Sequence, residues 1–209
     1  MSLQFLWTPP KSLWSFFANA IVLFLLLTPM WMQVSKWTSY PVAGLTQMVL
    51  NVGAGYWVRA VNKEPGRIEV ETRIQVQVPS SNSNLGVAEL VAEADPARYA
   101  YGLPLFLALL LAARSKRGWK KALVGYLLLF IPQTFSLVLE ILRQIMVAGG
   151  RPGALAVDQW QMEAIAIGYQ VGSLLLPALA PVALWLWLDR DFFDQVVAQG
   201  WRNRRQKGN

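Results

Sequence analysis

The sequence predicts a mainly α-helical membrane protein: four transmembrane helices with a small extracytoplasmic amphipathic helix and an antiparallel β-hairpin. Three observations predict it. Apolar residues come in long uncharged blocks of the length a bilayer selects. The loop RSKRGWKK (residues 114–121) lies between two such blocks and carries Arg114, Lys116, Arg117, Lys120 and Lys121; Lys and Arg clustered between two spans stay on the cytoplasmic side. One segment, RIEVETRIQVQV (residues 67–78), alternates without a break, the pattern of a strand with one wet face.

Composition agrees. The chain of 209 residues is 55% hydrophobic and 15% charged, where a soluble domain carries about 25% charged residues. Of its ten Trp, Trp14, Trp31, Trp37, Trp57, Trp119, Trp185 and Trp187 lie near the ends of apolar blocks, where an amphipathic indole prefers to sit. The net charge of +7 is concentrated in the central loop and the C-terminal tail. Membrane topology explains it without nucleic acid, which is excluded as a partner. Cys and His are absent, which removes disulfides, thiolate nucleophiles, imidazole bases and most zinc, copper and haem ligation. No phosphate-binding loop, nucleophile elbow or metal-ligand spacing occurs. The expectation is a non-enzyme, with no catalytic residue, cofactor or metal.

The chain divides into four segments. Residues 1–33 form an N-terminal tail and the first span, Leu13 to Gln33, uncleaved because Thr28-Pro29-Met30-Trp31-Met32 is too bulky for a signal-peptide site. Residues 34–97 form the extracytoplasmic module; counted through Arg98, this stretch holds six basic and six acidic residues. Its uncharged start reads as an interfacial helix opening near Ser39-Tyr40-Pro41. Val42, Leu45, Val49 and Val52 make the apolar stripe, and Thr46, Gln47 and Asn51 lie away from it. In the strand that follows, Ile68, Val70, Thr72, Ile74, Val76 and Val78 share one face. After a turn over 79–84, Leu85 to Ala94 alternates more weakly and completes the hairpin. A two-stranded hairpin is marginal alone, so its apolar face needs a cover from the interfacial helix or a partner.

Residues 98–188 hold three further spans. The second is short: fifteen uncharged residues between Arg98 and Arg114 rise about 22 Å, against a core of about 30 Å. Starting near Pro96, with Arg98 snorkelling outward, closes the gap. The third runs from Ala122 through Leu139 and continues to about Val147. Gln133, Ser136, Glu140 and Arg143 form one polar stripe along it, and Glu140 and Arg143 are spaced to pair. After a loop at Gly149 to Gly153, Asp158 caps the last span, which Pro177 and Pro181 bend. Gln159, Glu163 and Gln170 share a face there. Ala164, Gly168 and Gly172 form a small-residue row that lets another helix approach closely. Residues 189–209 are a basic cytoplasmic tail, so both termini face the cytoplasm.

The interaction or helix-packing candidates are Gln133, Ser136, Glu140, Arg143, Glu163, Gly168, Gln170 and Gly172. Their polar groups either bond the third and fourth spans together, dock a partner, or line a path for an ion or substrate. Glu140 and Arg143 fall at the outer boundary, whereas conduction needs polar groups deeper in the bilayer.

At Arg98-Tyr99-Ala100-Tyr101-Gly102-Leu103-Pro104, at Glu163-Ala164 with Gly168-Tyr169-Gln170-Val171-Gly172, and at Leu176-Pro177-Ala178-Leu179-Ala180-Pro181, the chain resembles the exosortase H-associated membrane proteins. The order of elements fits over most of its length. Glu140-Ile141-Leu142-Arg143 before a Gly-rich loop is also similar to the arginine-bearing part of exosortases, membrane transpeptidases that use a Cys and a His. This chain has neither, so the resemblance implies an accessory role in bacterial inner-membrane protein sorting, beside an exosortase and membrane lipids. A structural subunit of another large envelope complex, and a small transporter or lipid-handling protein, stand as the alternatives.

Overall fold

A computed structural model describes residues 13–79, 85–115, 117–149 and 157–192. The expected turn at 80–84, most of the Gly-rich loop after 149 and most of the basic tail lie outside the described residues. Helices dominate: α1 (Leu13–Thr38), α2 (Tyr40–Gly53), α3 (Gly102–Ala112), α4 (Gly118–Gly149), α5 (Gln159–Gln170), α6 (Leu176–Leu188) and the single turn α7 (Arg190–Phe192). Between α5 and α6 the chain continues as a π turn, Val171–Leu175. It forms two compact units, one of Met1–Gln33, Tyr101–Leu129 and Ala178–Asn209, the other of Val34–Ala100 and Phe130–Pro177.

Among the described residues three helical stretches are long and apolar enough to cross a membrane: Leu13–Thr38, Gly118–Gly149 and Gln159–Leu188. The expected second span differs. It is the shorter apolar stretch Pro96–Ala112, a 3-10 turn at Pro96–Tyr99 followed by α3. Of the four expected spans, three are helices of membrane-crossing length, and the second, expected to be short, falls below that length. A short helix needs little lipid-facing surface when protein surrounds it, and most of α3, including Leu103, Phe106, Ala108 and Leu110, is buried.

The first unit packs α3 against the described apolar parts of α1, α4 and α6. Phe16 of α1 stacks on Trp185 of α6 with ring centroids 5.3 Å apart, and meets Phe192 at 4.6 Å. The outward side of α1 shows Trp14, Phe17, Ile21, Leu25 and Met30, an apolar surface suited to lipid.

The second unit carries the sheet. It has three antiparallel strands in the order β1 (Val58–Glu64), β2 (Arg67–Pro79), β3 (Leu85–Ala94), so the expected hairpin gains a strand. Pro65-Gly66 supplies the β1–β2 turn. Pro presets the second position, and Gly66 takes φ +81°, a value that favours glycine. β1 escaped the sequence reading because VRAVNKE offers only two apolar alternations before it turns polar. Ile68, Val70 and Thr72 of β2 are fully buried, as the alternation requires. Where the β2–β3 register slips between Glu71 and Gln75, the Thr72 hydroxyl donates to the Leu90 carbonyl at 2.8 Å.

The cover for this face comes from two helices. Val42, Ala43 and Leu50 of α2, with Leu137, Ile141 and Ile145 of α4, join Ile68, Val70, Ala92 and Ala94 in one core. Only part of the α2 stripe faces this core. Only Val42 of the expected four is buried; Leu45, Val49 and Val52 are exposed beside Met48. Thr46, expected on the polar side, is fully buried. The helix bears no charge on any side, so no charged residue marks which face turns outward. Val42, Ala43, Thr46 and Leu50 face the core, while Leu45, Met48, Val49 and Val52 turn outward.

Candidate functional site

The polar residues that matter collect on the outer half of α4, within the second unit. Asp95 is the N-cap of the 3-10 turn and accepts from the Ala97 N–H at 2.8 Å; Pro96 follows at the first position. This local Asp-Pro signal turns Tyr99 towards Glu140, which is 5% exposed. The Tyr99 hydroxyl donates to Glu140 Oε2. Gln144 Nε2 donates to Oε1 at 3.2 Å, and Arg98 Nη1 lies 3.6 Å from the same oxygen.

Gln144 carries the junction on to the sheet. Its amide donates to the Glu93 carbonyl at 2.8 Å and accepts from the Glu93 N–H at 3.1 Å. Both backbone groups of one residue on the edge strand β3 are thus met by a single side chain. Unpaired strand edges invite other strands, so at this residue α4 closes the edge. Chemically the arrangement docks one element on another: both carboxylate oxygens of Glu140 are already engaged.

Lower on α4, Ser136 faces the π turn. In a π turn the carbonyl of residue 172 would accept from the N–H of residue 177, which is Pro and has none. The Ser136 hydroxyl supplies that bond, donating to the Gly172 carbonyl at 2.7 Å. A side chain at Gly172 would come within 3.1 Å of Ser136 Cα, and one at Gly168 within 2.9 Å of Leu139 Cδ1. The small residues are therefore where α4 and the π-turn region approach closely.

The eight expected residues divide accordingly. Ser136, Gly168 and Gly172 come together, and Glu140 joins Tyr99, Arg98 and Gln144. Gln133 is buried on α4. The expected Glu140–Arg143 pair does not form among the described residues. Arg98 takes the carboxylate instead, while Arg143 lays its guanidinium over the Tyr169 ring, 4.3 Å from its centre. Glu163 is exposed and bonds Gln159 at 2.9 Å, and Gln170 is exposed. Sequence reading missed Gln144, although it stands one turn beyond Glu140 on the stripe's own spacing.

It also missed a cluster in the first unit. Lys121 Nζ donates to Asp189 Oδ1 at 2.8 Å and to Ser115 Oγ at 2.7 Å, with Asp189 3% exposed. A serine beside a lysine invites comparison with a nucleophile and its base. Here the lysine nitrogen is the donor in both contacts, to the carboxylate and to the hydroxyl. Among the described residues no group of three or more His, Cys, Asp or Glu could hold a metal ion.

A family model of exosortase H-associated membrane proteins matches residues 10–192. The chain belongs to this family. The match takes in all three long helices, the short α3 and the sheet with its α2 and α4 cover. No curated protein and no solved structure matches the chain.

Proposed function

We propose that this family member is a non-enzymatic accessory subunit of a bacterial inner-membrane protein-sorting system, assisting an exosortase. In this reading α3 completes a fourth crossing, both termini are cytoplasmic, and the sheet stands outside as a platform on α2 and the end of α4. Family membership over residues 10–192 carries the reading. The site adds support, because Glu140, Tyr99 and Gln144 are spent on joining sheet to helix, and Lys121 is spent on Asp189. The topology follows from the basic loop, which the charge rule keeps inside.

One experiment tests both parts. The chain has no cysteine, so Glu89→Cys and Arg117→Cys each introduce a single thiol. Each variant is co-expressed with an exosortase, labelled in intact cells with a membrane-impermeant maleimide, and extracted in mild detergent. The expected result is label at position 89 alone and an exosortase that copurifies. Label at position 117 alone overturns the sidedness. Copurification of a different assembly, without the exosortase, overturns the accessory role.

A further inference from the structure

We propose that the cleft between the outer end of α4 and the start of α5 is a phospholipid headgroup site, taking an ethanolamine lipid with its phosphate on Arg143 and its ammonium on Glu163. The cleft holds about 530 Å³, within the range of small-ligand sites. Its walls are mostly apolar, with Met146 and Val147 from α4 and Met162 and Ile165 from α5.

Two charged residues line it, one from each helix, and among the described residues neither has a partner of opposite charge. The Arg143 guanidinium lies over the Tyr169 ring, 4.3 Å from its centre, a contact through its face that keeps its N–H groups for an acceptor. Its Nε is shut from solvent with no hydrogen-bond acceptor. Glu163 receives one bond from Gln159 and keeps acceptor capacity for another donor.

Position selects the occupant. The uncharged run of α4 from Ala122 to Leu139 rises about 27 Å, close to the thickness of a hydrocarbon core of about 30 Å. Arg143 follows one turn later, at the level of phosphates. A guanidinium there pairs with a phosphate through charge-assisted bonds. The carboxylate on the other wall distinguishes among headgroups. An ethanolamine ammonium brings both N–H donors and an opposite charge to Glu163, a choline has no N–H to give, and a glycerol headgroup offers only neutral hydroxyls, a weaker match to a carboxylate.

The test uses the full chain, delipidated in neutral detergent and examined by native mass spectrometry with dioleoyl phosphatidylethanolamine, phosphatidylcholine or phosphatidylglycerol at equal concentration. The ethanolamine lipid is expected to be retained several-fold more than either other lipid. Arg143→Gln lowers retention of it by about tenfold, the loss expected for one charge-assisted bond. Glu163→Gln erases the preference among headgroups. Ala166→Trp fills the cleft with both charges in place and abolishes retention. Equal retention of the glycerol lipid, undiminished binding by Arg143→Gln, or undiminished binding by Ala166→Trp overturns the proposal. Absence of any lipid adduct on the unaltered chain also overturns it, and leaves the cleft to a protein segment.

Discussion

Among the described residues each unit contains one nearly buried carboxylate, and the two are handled differently. Asp189 is met by a single ammonium, which also reaches a serine hydroxyl, and its second oxygen, Oδ2, is buried without a partner. Glu140 is met by a phenol, an amide and a half-distant guanidinium, and the amide passes the contact on to a strand. The first cluster is a charge pair whose strength rests on one contact. The second is a network that shares its load and connects two kinds of structure, helix and sheet. Removing one member should therefore hurt the first more than the second.

The largest effect is expected at Asp189. Asp189→Ala strands the Lys121 ammonium in a site where it is only 20% exposed, and breaking a buried pair this way costs about 3–5 kcal/mol. Lys121→Met combined with Asp189→Leu removes both charges and should recover most of that loss, because a buried pair contributes little net stability against apolar replacements. Unfolding of the detergent-solubilised variants measures both. A double variant as unstable as the single one breaks the comparison, since the cost then lies in lost packing and not in a stranded charge.

How far these clusters were legible in the sequence follows from what makes each. The strand face Ile68, Val70, Thr72 was readable because burial on one side of a strand imposes a period of two. The polar stripe Gln133, Ser136, Glu140 was readable because a helix repeats its faces every three to four residues. The partners of Glu140 were not, since Tyr99 lies 41 residues away and is delivered by a 3-10 turn. Lys121 was read from its neighbours as one of several loop cations, although its partner Asp189 is 68 residues distant. The inside face of α2 was hidden for a different reason: on a helix without charge, Thr46 reads as part of the polar side, yet it is fully buried. The bond from Ser136 to Gly172 was half visible, because Pro177 announces a missing N–H but does not say which carbonyl will lose it.

A middling effect is expected at Glu140. Glu140→Ala leaves the Tyr99 hydroxyl buried and weakens the hold on Gln144, a loss of about 1.5–3 kcal/mol for hydrogen bonds to a charged group. Glu140→Gln keeps an acceptor for Tyr99 and should retain at least half of that. Hydrogen exchange sharpens the comparison. Glu140→Ala should speed exchange of the Glu93 amide, which bonds Gln144, because Gln144 then loses the carboxylate that steadies it. Unchanged exchange at Glu93 means that the amide clamp stands independently of Glu140, and the two contacts are neighbours rather than a network.

The smallest effect is expected on the sheet's wet face, which supplies the control for both clusters. Arg59 Nη1 donates to both carboxylate oxygens of Glu89, at 2.8 and 3.0 Å, as close as the Lys121–Asp189 contact, yet both side chains are more than half exposed. Water and salt screen such a pair, and exposed pairs contribute about 0.2–1 kcal/mol. Arg59→Ala should therefore shift unfolding by no more than that, and the shift should vanish in high salt, where the Asp189→Ala loss persists. If Arg59→Ala instead rivals Asp189→Ala, burial is not what separates the clusters, and the wet face must be held by something other than solvent-exposed charge.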